Sequence, residues 1–192
     1  MFVENEPPRN DEPESVFMPE EEPHEVKKPH VSFNSGNNEW YTPAEYIELA
    51  REVMGSIDID PASSDIANKV VQAKKYYTLE TDGLSQEWSG NIWLNPPYSS
   101  ELITKFIDKL ISDLPRITQA LVLVNNATET EWFNKIVKRA AAICFPRSRI
   151  KFYTPNGTIG APLQGQAILY FGERVKEFIN EFGAKGWCAL PQ

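Results

Sequence analysis

The sequence predicts an α/β domain whose β-sheet is mostly parallel with an antiparallel edge hairpin, behind a disordered acidic N-terminal tail. Three observations lead there. From residue 42 onward, short apolar runs alternate with segments of helical periodicity. Residues 120–124, Ala-Leu-Val-Leu-Val, form a continuous apolar run of the kind buried on both faces of a sheet. The strand-like runs 149–153 and 166–171 are joined by a loop containing glycine and proline, as in a hairpin.

Residues 1–33 read as the tail: six prolines, many acids and scattered apolar residues cannot offset the entropy of ordering. The domain is expected over 34–183, with 184–192 a loose C-terminal end. Its first helix starts at Thr42-Pro43-Ala44-Glu45, with Thr42 as N-cap, Pro43 at the first helical position and Glu45 closing a capping box. Tyr46, Ile47, Ala50, Val53 and Met54 form its apolar face, and Gly55 ends it. A strand is expected at 56–60, stopped by Pro61. A polar segment with room for a helix and a short strand then leads to the strand Asn91–Leu94. Ser99 or Ser100 caps the next helix, where Leu102, Ile103, Phe106, Ile107 and Leu110 recur at helical spacing. Strand 120–124 is followed by Thr128-Glu129-Thr130-Glu131, a second capping box, and a helix facing Trp132, Phe133 and Ile136 inward. Further strands fall near 141–145, 149–153 and 166–171.

At 192 residues and 41% apolar, the chain is sized for one domain with a core. The net charge of -8 belongs largely to the tail: nine of the 27 acids and three of the 19 bases lie in residues 1–30, which leaves 18 against 16. The folded part is thus nearly neutral, and phosphate contact would rest on local patches. Three clusters qualify: Lys69, Lys74 and Lys75; Lys138 and Arg139; Arg147, Arg149 and Lys151. Two cysteines without a CxxC pair fit a reducing compartment, with Cys144 expected in the core. Without a membrane-length apolar stretch or a signal pattern, a soluble cytoplasmic protein is expected. Both histidines, His24 and His30, lie in the tail, and no His/Cys/Glu group has metal-ligand spacing.

The chemistry concentrates in Asn95-Pro96-Pro97-Tyr98, directly behind the apolar run ending at Leu94. Two prolines stop the strand and stiffen the turn. The turn therefore presents one amide side chain, one backbone carbonyl and one aromatic ring at a strand end, where open α/β sheets bind ligands. That set suits a planar NH2 group: Asn95 oxygen and Pro96 carbonyl accept its two hydrogens while Tyr98 stacks on the attached ring. The capped helix start at Thr42-Pro43 offers backbone N–H groups to a carboxylate. Asp58 and Asp60 alternate with isoleucines, which puts both carboxylates on one face of a strand end. Asp82-Gly83 reads as a turn before the Asn95 strand.

Trp40-Tyr41-Thr42-Pro43, Asp58-Ile59-Asp60-Pro61-Ala62-Ser63, Asp82-Gly83-Leu84 with Trp88, and Asn95-Pro96-Pro97-Tyr98 together resemble the phage-type DNA N-6-adenine methyltransferases of the Dam family, over about residues 38–172. The resemblance implies a Rossmann-like methyltransferase fold, S-adenosylmethionine as cofactor, and double-stranded DNA as partner. It implies that Asn95, Pro96, Pro97 and Tyr98 are catalytic. Tyr41, Thr42, Pro43, Asp58, Asp60, Pro61, Ala62 and Asp82 would bind the cofactor. The glycine-rich loop common in methyltransferases is absent, replaced by Ser63-Ser64-Asp65. A stacked base cannot reach such a pocket, so base flipping is implied, with Trp40, Tyr41, Arg147 and Arg149 as candidates to hold the opened duplex. Target specificity is expected in loops 62–80 and 154–165 or in a homodimer partner. A phage enzyme of this kind would act in the host bacterial cytoplasm and serve restriction evasion. RNA adenine, the cytosine amino group and protein glutamine are alternative substrates, and a non-catalytic binding module retaining the fold is an alternative of a different class.

Overall fold

The computed structural model describes residues 40–154, 157–160 and 164–191, so the tail expected over 1–33 lies outside the described residues. Seven strands form one sheet: β1 (Ile59–Asp60), β2 (Lys75–Tyr76), β3 (Gly90–Leu94), β4 (Ile117–Asn125), β5 (Ala142–Pro146), β6 (Gln166–Phe171) and β7 (Gly186–Ala189), in the spatial order β2-β1-β3-β4-β6-β5-β7. The four strands from β2 to β4 pair in parallel. Strand β6 lies antiparallel between β4 and β5, and β7 closes the edge antiparallel to β5. β5 therefore runs in the same direction as β1 to β4.

Helices cover both faces. Along β4, Leu121 and Leu123 face one layer with α1 (Ala44–Met54) and α5 (Val175–Gly183), while Ala120, Val122 and Val124 face the other with α3 (Ser100–Asp113) and α4 (Glu131–Val137). This explains the continuous apolar run: the period-2 alternation distributes it to two cores. Helix α2 (Asp65–Val71) links β1 to β2. The chain leaves β1 for β2 on one side, then returns to β3 on the other. That reversal is a topological switch point, and it opens a crevice beyond the carboxyl ends of β1 and β3.

The caps differ from expectation. Helix α1 begins one residue later, with Pro43 as its N-cap and no capping side chain, because the Thr42 hydroxyl is turned to Asn95 instead. Helix α4 is capped by Thr130, whose side chain accepts from Phe133 N, two residues beyond the expected Thr128. Ser99 stands at the start of α3.

The expected strand 149–153 does not pair with β6, since β4 and β5 already occupy both edges of that strand. Tyr153 instead bridges Tyr41 and Ile159. Nor are residues 184–192 a loose end throughout: β7 pairs with β5 along four positions, from Ile143 opposite Ala189 to Pro146 opposite Gly186. Gly186 permits that pairing, since a Cβ there would stand 2.1 Å from Phe145 O. Cys144 is fully buried opposite Cys188, and burial first, with Cys188 second, pushes its thiol up to about 12, as suits a core residue. Among the described residues no helix is long and apolar enough to cross a membrane.

Candidate active site

The crevice at the switch point encloses about 580 Å³, a volume in the range of small-molecule sites. Asp60, Pro61 and Ala62 line it from the end of β1, and Asn95, Pro96, Pro97 and Tyr98 from the end of β3. Tyr41 and Thr42 reach it from the segment before α1, and Asp82 from the turn before β3. Two expected site residues are elsewhere. Pro43 caps α1 outside the lining. Asp58 turns to Lys74 Nζ, 2.7 Å away, and to Asn91 N at 2.8 Å. Burial alone would raise the Asp58 pKa, but the Lys74 and Asn91 hydrogen bonds outweigh it and leave the carboxylate below its ordinary range.

Asn95 is fixed from both ends of its amide. Its Nδ2 donates to Thr42 Oγ1 at 3.3 Å and to Trp40 O at 3.4 Å, and its Oδ1 accepts from the Tyr98 hydroxyl at 2.8 Å. Two acceptors around Nδ2 and one donor at Oδ1 set the amide's rotation. A carbonyl oxygen has two lone pairs, so one remains for a further donor. Tyr98, expected to stack on the attached ring, holds Asn95 through its hydroxyl. The same hydroxyl reaches Leu123 O more loosely, at 3.4 Å, and burial pushes the phenol far above its ordinary pKa. Pro96 is buried, and among the described residues no hydrogen bond reaches its carbonyl oxygen.

Asp60 contrasts with Asp58. Only 3% exposed, it accepts from Ala62 N at 3.2 Å, and burial pushes its carboxyl up to about 7 against the lowering pull of Ser63 and Ala62. A buried carboxyl at a cleft wall is stabilised as an anion when a cation or strong donor comes beside it.

The turn at Asp82 is held by the other residues of its motif, Gly83, Leu84 and Trp88. Asp82 adopts φ 45 and accepts from Leu84 N at 3.1 Å. Gly83 follows so close to the end of β1 that a Cβ would stand 1.9 Å from Pro61 O, so glycine is required there. Trp88, fully buried, donates Nε1–H to Gly83 O at 2.8 Å and stacks on Phe106. Its backbone N–H donates to Asp113, which Lys109 and Arg116 neutralise. The Asp-Gly-Leu turn and Trp88 are thus one unit that presses against the β1 end. Tyr77 and Leu79, which the sequence placed only within the 62–80 loop, also line the cleft, as does Leu84 of the Asp82 motif. Leu79 carries the one available signal, an isolated apolar residue between polar neighbours, and it is 91% exposed at the rim.

An open, mostly parallel sheet with the Asn95–Tyr98 turn and an acidic strand end at one switch point has the architecture of a ligand-binding α/β domain. The family model described as DNA N-6-adenine-methyltransferase (Dam) matches residues 32–179, and the chain belongs to that family. Membership makes S-adenosylmethionine the cofactor. A solved structure from Listeria monocytogenes, described as a class I S-adenosylmethionine-dependent methyltransferase, is similar with a TM-score of 0.41 and 14% identity; the match covers 69% of this chain and 61% of that one. No curated protein sequence matches the chain. Among the described residues no group of three metal-ligating side chains occurs.

The residues present fit the cofactor. It carries an ammonium and a sulfonium, and the cleft holds a buried Asp60 whose ionisation lacks a cationic partner among the described ion pairs. Apolar contact is available from Pro61, Val70 and Leu84.

Proposed function

We propose that the chain transfers a methyl group to the exocyclic amino nitrogen of adenine in double-stranded DNA, on a base flipped out of the helix. The observation that carries this reading is the shared cleft: Asn95 and Pro96 line it from the end of β3 and the buried Asp60 from the end of the neighbouring β1. S-adenosylmethionine, when bound, supplies an electrophilic methyl group on a sulfonium.

The remaining chemistry is the protein's. The amino nitrogen of adenine is a weak nucleophile because its lone pair is delocalised into the ring. Asn95 Oδ1 and Pro96 O accept its two hydrogens and favour a more pyramidal nitrogen with an available lone pair. As that nitrogen gains a carbon substituent, positive charge develops on it. The same two oxygens, already oriented, stabilise that charge without reorganising. The proton passes to water after the bond to carbon has formed, so no strong base is required, in keeping with the lack of a histidine among residues 34–192. Thr42 and Trp40 O hold the amide in the orientation that points oxygen rather than NH2 to the substrate. Asp60 would hold the cofactor's ammonium. Flipping costs a few kcal/mol, partly offset where an aromatic ring such as Tyr98 or Trp40 meets the base, a contact worth about 1 to 3 kcal/mol.

The test is methyl transfer from labelled S-adenosylmethionine to unmethylated duplex DNA, with Asn95→Ala in parallel. Label recovered as N-6-methyladenine and lost in the variant is the expected result. Cofactor binding without label on DNA moves the substrate to RNA or protein, and a chain that binds no cofactor would not be this enzyme.

A further inference from the structure

Three basic clusters are visible in the sequence, and the sheet direction separates them. Lys74 and Lys75 stand at the start of β2, the amino edge of the sheet, and Lys74 is engaged by Asp58 there. Lys69 lies in the last turn of α2, which runs back toward that same edge. Lys138 and Arg139 follow α4, just before β5 begins, again at the amino edge. Arg147, Arg149 and Lys151 follow the carboxyl end of β5, and β5 points the same way as β3. They alone among the three clusters share the edge that carries Asn95.

The segment that bears them is anchored. Ile150 and Phe152 are buried, whereas Arg147, Arg149, Lys151 and Tyr153 are exposed, so from Arg149 onward an in-out alternation sends the polar side chains to solvent. Ile150 N donates to Gln166 Oε1 at 2.9 Å, and Tyr153 exchanges backbone hydrogen bonds with Tyr41 at 2.8 and 3.0 Å. The strip therefore runs from the end of β5 to a residue that lines the cleft. Strand β5 is three strand spacings from β3, about 14 Å, close to the roughly 12 Å width of a duplex major groove. The opposite wall is acidic, with exposed Asp65, Glu80 and Asp82, which disfavours phosphate on that side.

We infer that Arg147, Arg149 and Lys151 are the phosphate-contact strip that seats the duplex beside the cleft and so sets the side from which the base enters. This rests on the DNA reading above. A strip of this kind carries affinity and salt dependence but no sequence information.

The experiment combines Arg147→Ala, Arg149→Ala and Lys151→Ala and compares it with wild type and with Lys138→Ala/Arg139→Ala at the amino edge. Binding of a short fluorescein-labelled duplex is followed by anisotropy across a salt series, alongside methylation kinetics and S-adenosylmethionine affinity. For the triple variant, duplex affinity and KM for DNA weaken tenfold or more, kcat at saturating duplex and cofactor affinity stay near wild type, and the slope of log affinity against log salt falls by about 2 to 3, at roughly 0.9 per phosphate contact. The amino-edge variant keeps the wild-type slope. An unchanged slope in the triple variant, or an equal loss in the amino-edge variant, overturns the assignment. Wild-type protein that binds duplex through the strip yet methylates no adenine leaves the strip standing and overturns the catalytic reading; wild type that binds no duplex overturns both.

Discussion

Strands β1 and β3 each carry the same residue types at both ends, an aspartate pair and an asparagine pair, with opposite fates. At the amino ends, Asp58 accepts from Asn91 N, Asn91 Nδ2 donates to Met54 O, and Gln119 closes on Asn91 Oδ1 at 3.4 Å. Those groups are satisfied by the protein itself. At the carboxyl ends, Asp60 and Asn95 face the cleft, one with its carboxyl raised by burial and the other with a spare lone pair on its amide oxygen. The difference teaches that residue type sets what a side chain can do, while its position relative to the switch point sets whether anything in the protein has already used it.

The largest expected effect breaks the comparison at Asn95. Asn95→Ala lowers kcat for adenine methylation by about 10² to 10³, the scale of removing one preorganised polar group from a developing charge, with cofactor affinity nearly unchanged by calorimetry. Asn91→Ala, its amino-end counterpart, lowers Tm and leaves kcat close to wild type.

Asp60→Asn comes next. Loss of a charge-assisted contact worth about 1.5 to 3 kcal/mol weakens S-adenosylmethionine binding by about 10- to 100-fold. The apo protein responds the other way. Its folded carboxyl, near pKa 7, sits above the unfolded value of about 4. Stability from the bound proton is thus fully present below about pH 4 and lost as pH rises to about 7. Thermal melts of apo protein should therefore find Asp60→Asn more stable than wild type at pH 8, with the gap closing toward pH 4. Wild-type cofactor affinity should strengthen as pH rises through about 7, a dependence that the variant lacks.

Thr42→Val removes an acceptor facing Asn95 Nδ2 while preserving shape. A loss of about 1 kcal/mol in amide positioning lowers kcat about fivefold to tenfold, and Thr42→Ser restores it. An unchanged kcat with weaker cofactor binding would instead make Thr42 a cofactor contact.

Asp58→Ala has the smallest effect on activity. Its partner Lys74 is largely exposed, so solvent screening limits the ion pair to about 1 kcal/mol or less, and the Asn91 N–H left without its acceptor adds a stability loss of about 1 kcal/mol. Asp58 has a lowered folded pKa, so its contribution is present above about pH 4 and lost as pH falls through the folded value. Denaturant melts at pH 7 and pH 3 check this, and methylation kinetics should not change.

Much of this was legible in the chain. The apolar face of α1, the buried run of β4 and the proline-stopped β3 follow from local periodicity and backbone restriction, which need no partner. Caps were less secure: the Thr42 hydroxyl is taken by Asn95, which leaves α1 without a capping side chain, and Thr130 caps α4 locally in place of Thr128. The 149–153 segment alternates as a strand should, yet pairing needs a free edge and β6 had none. Strand β7 was hidden by its brevity, since Gly186–Ala189 becomes a strand only because β5 offers it an edge.

By itself, then, the sequence determined that a mostly parallel α/β sheet forms, that one strand ends in a rigid turn with two acceptors and a ring, and that the chain belongs to the DNA N-6-adenine-methyltransferase (Dam) family. These are set by covalent restriction, side-chain chemistry and local periodicity. The tertiary structure decided that Asp60 faces the cleft while Asp58 does not, that Thr42 orients Asn95 rather than capping a helix, and that one basic cluster of three shares the site's edge. Those depend on strand direction and burial, which arise only when distant segments pack and compete for the same hydrogen bonds.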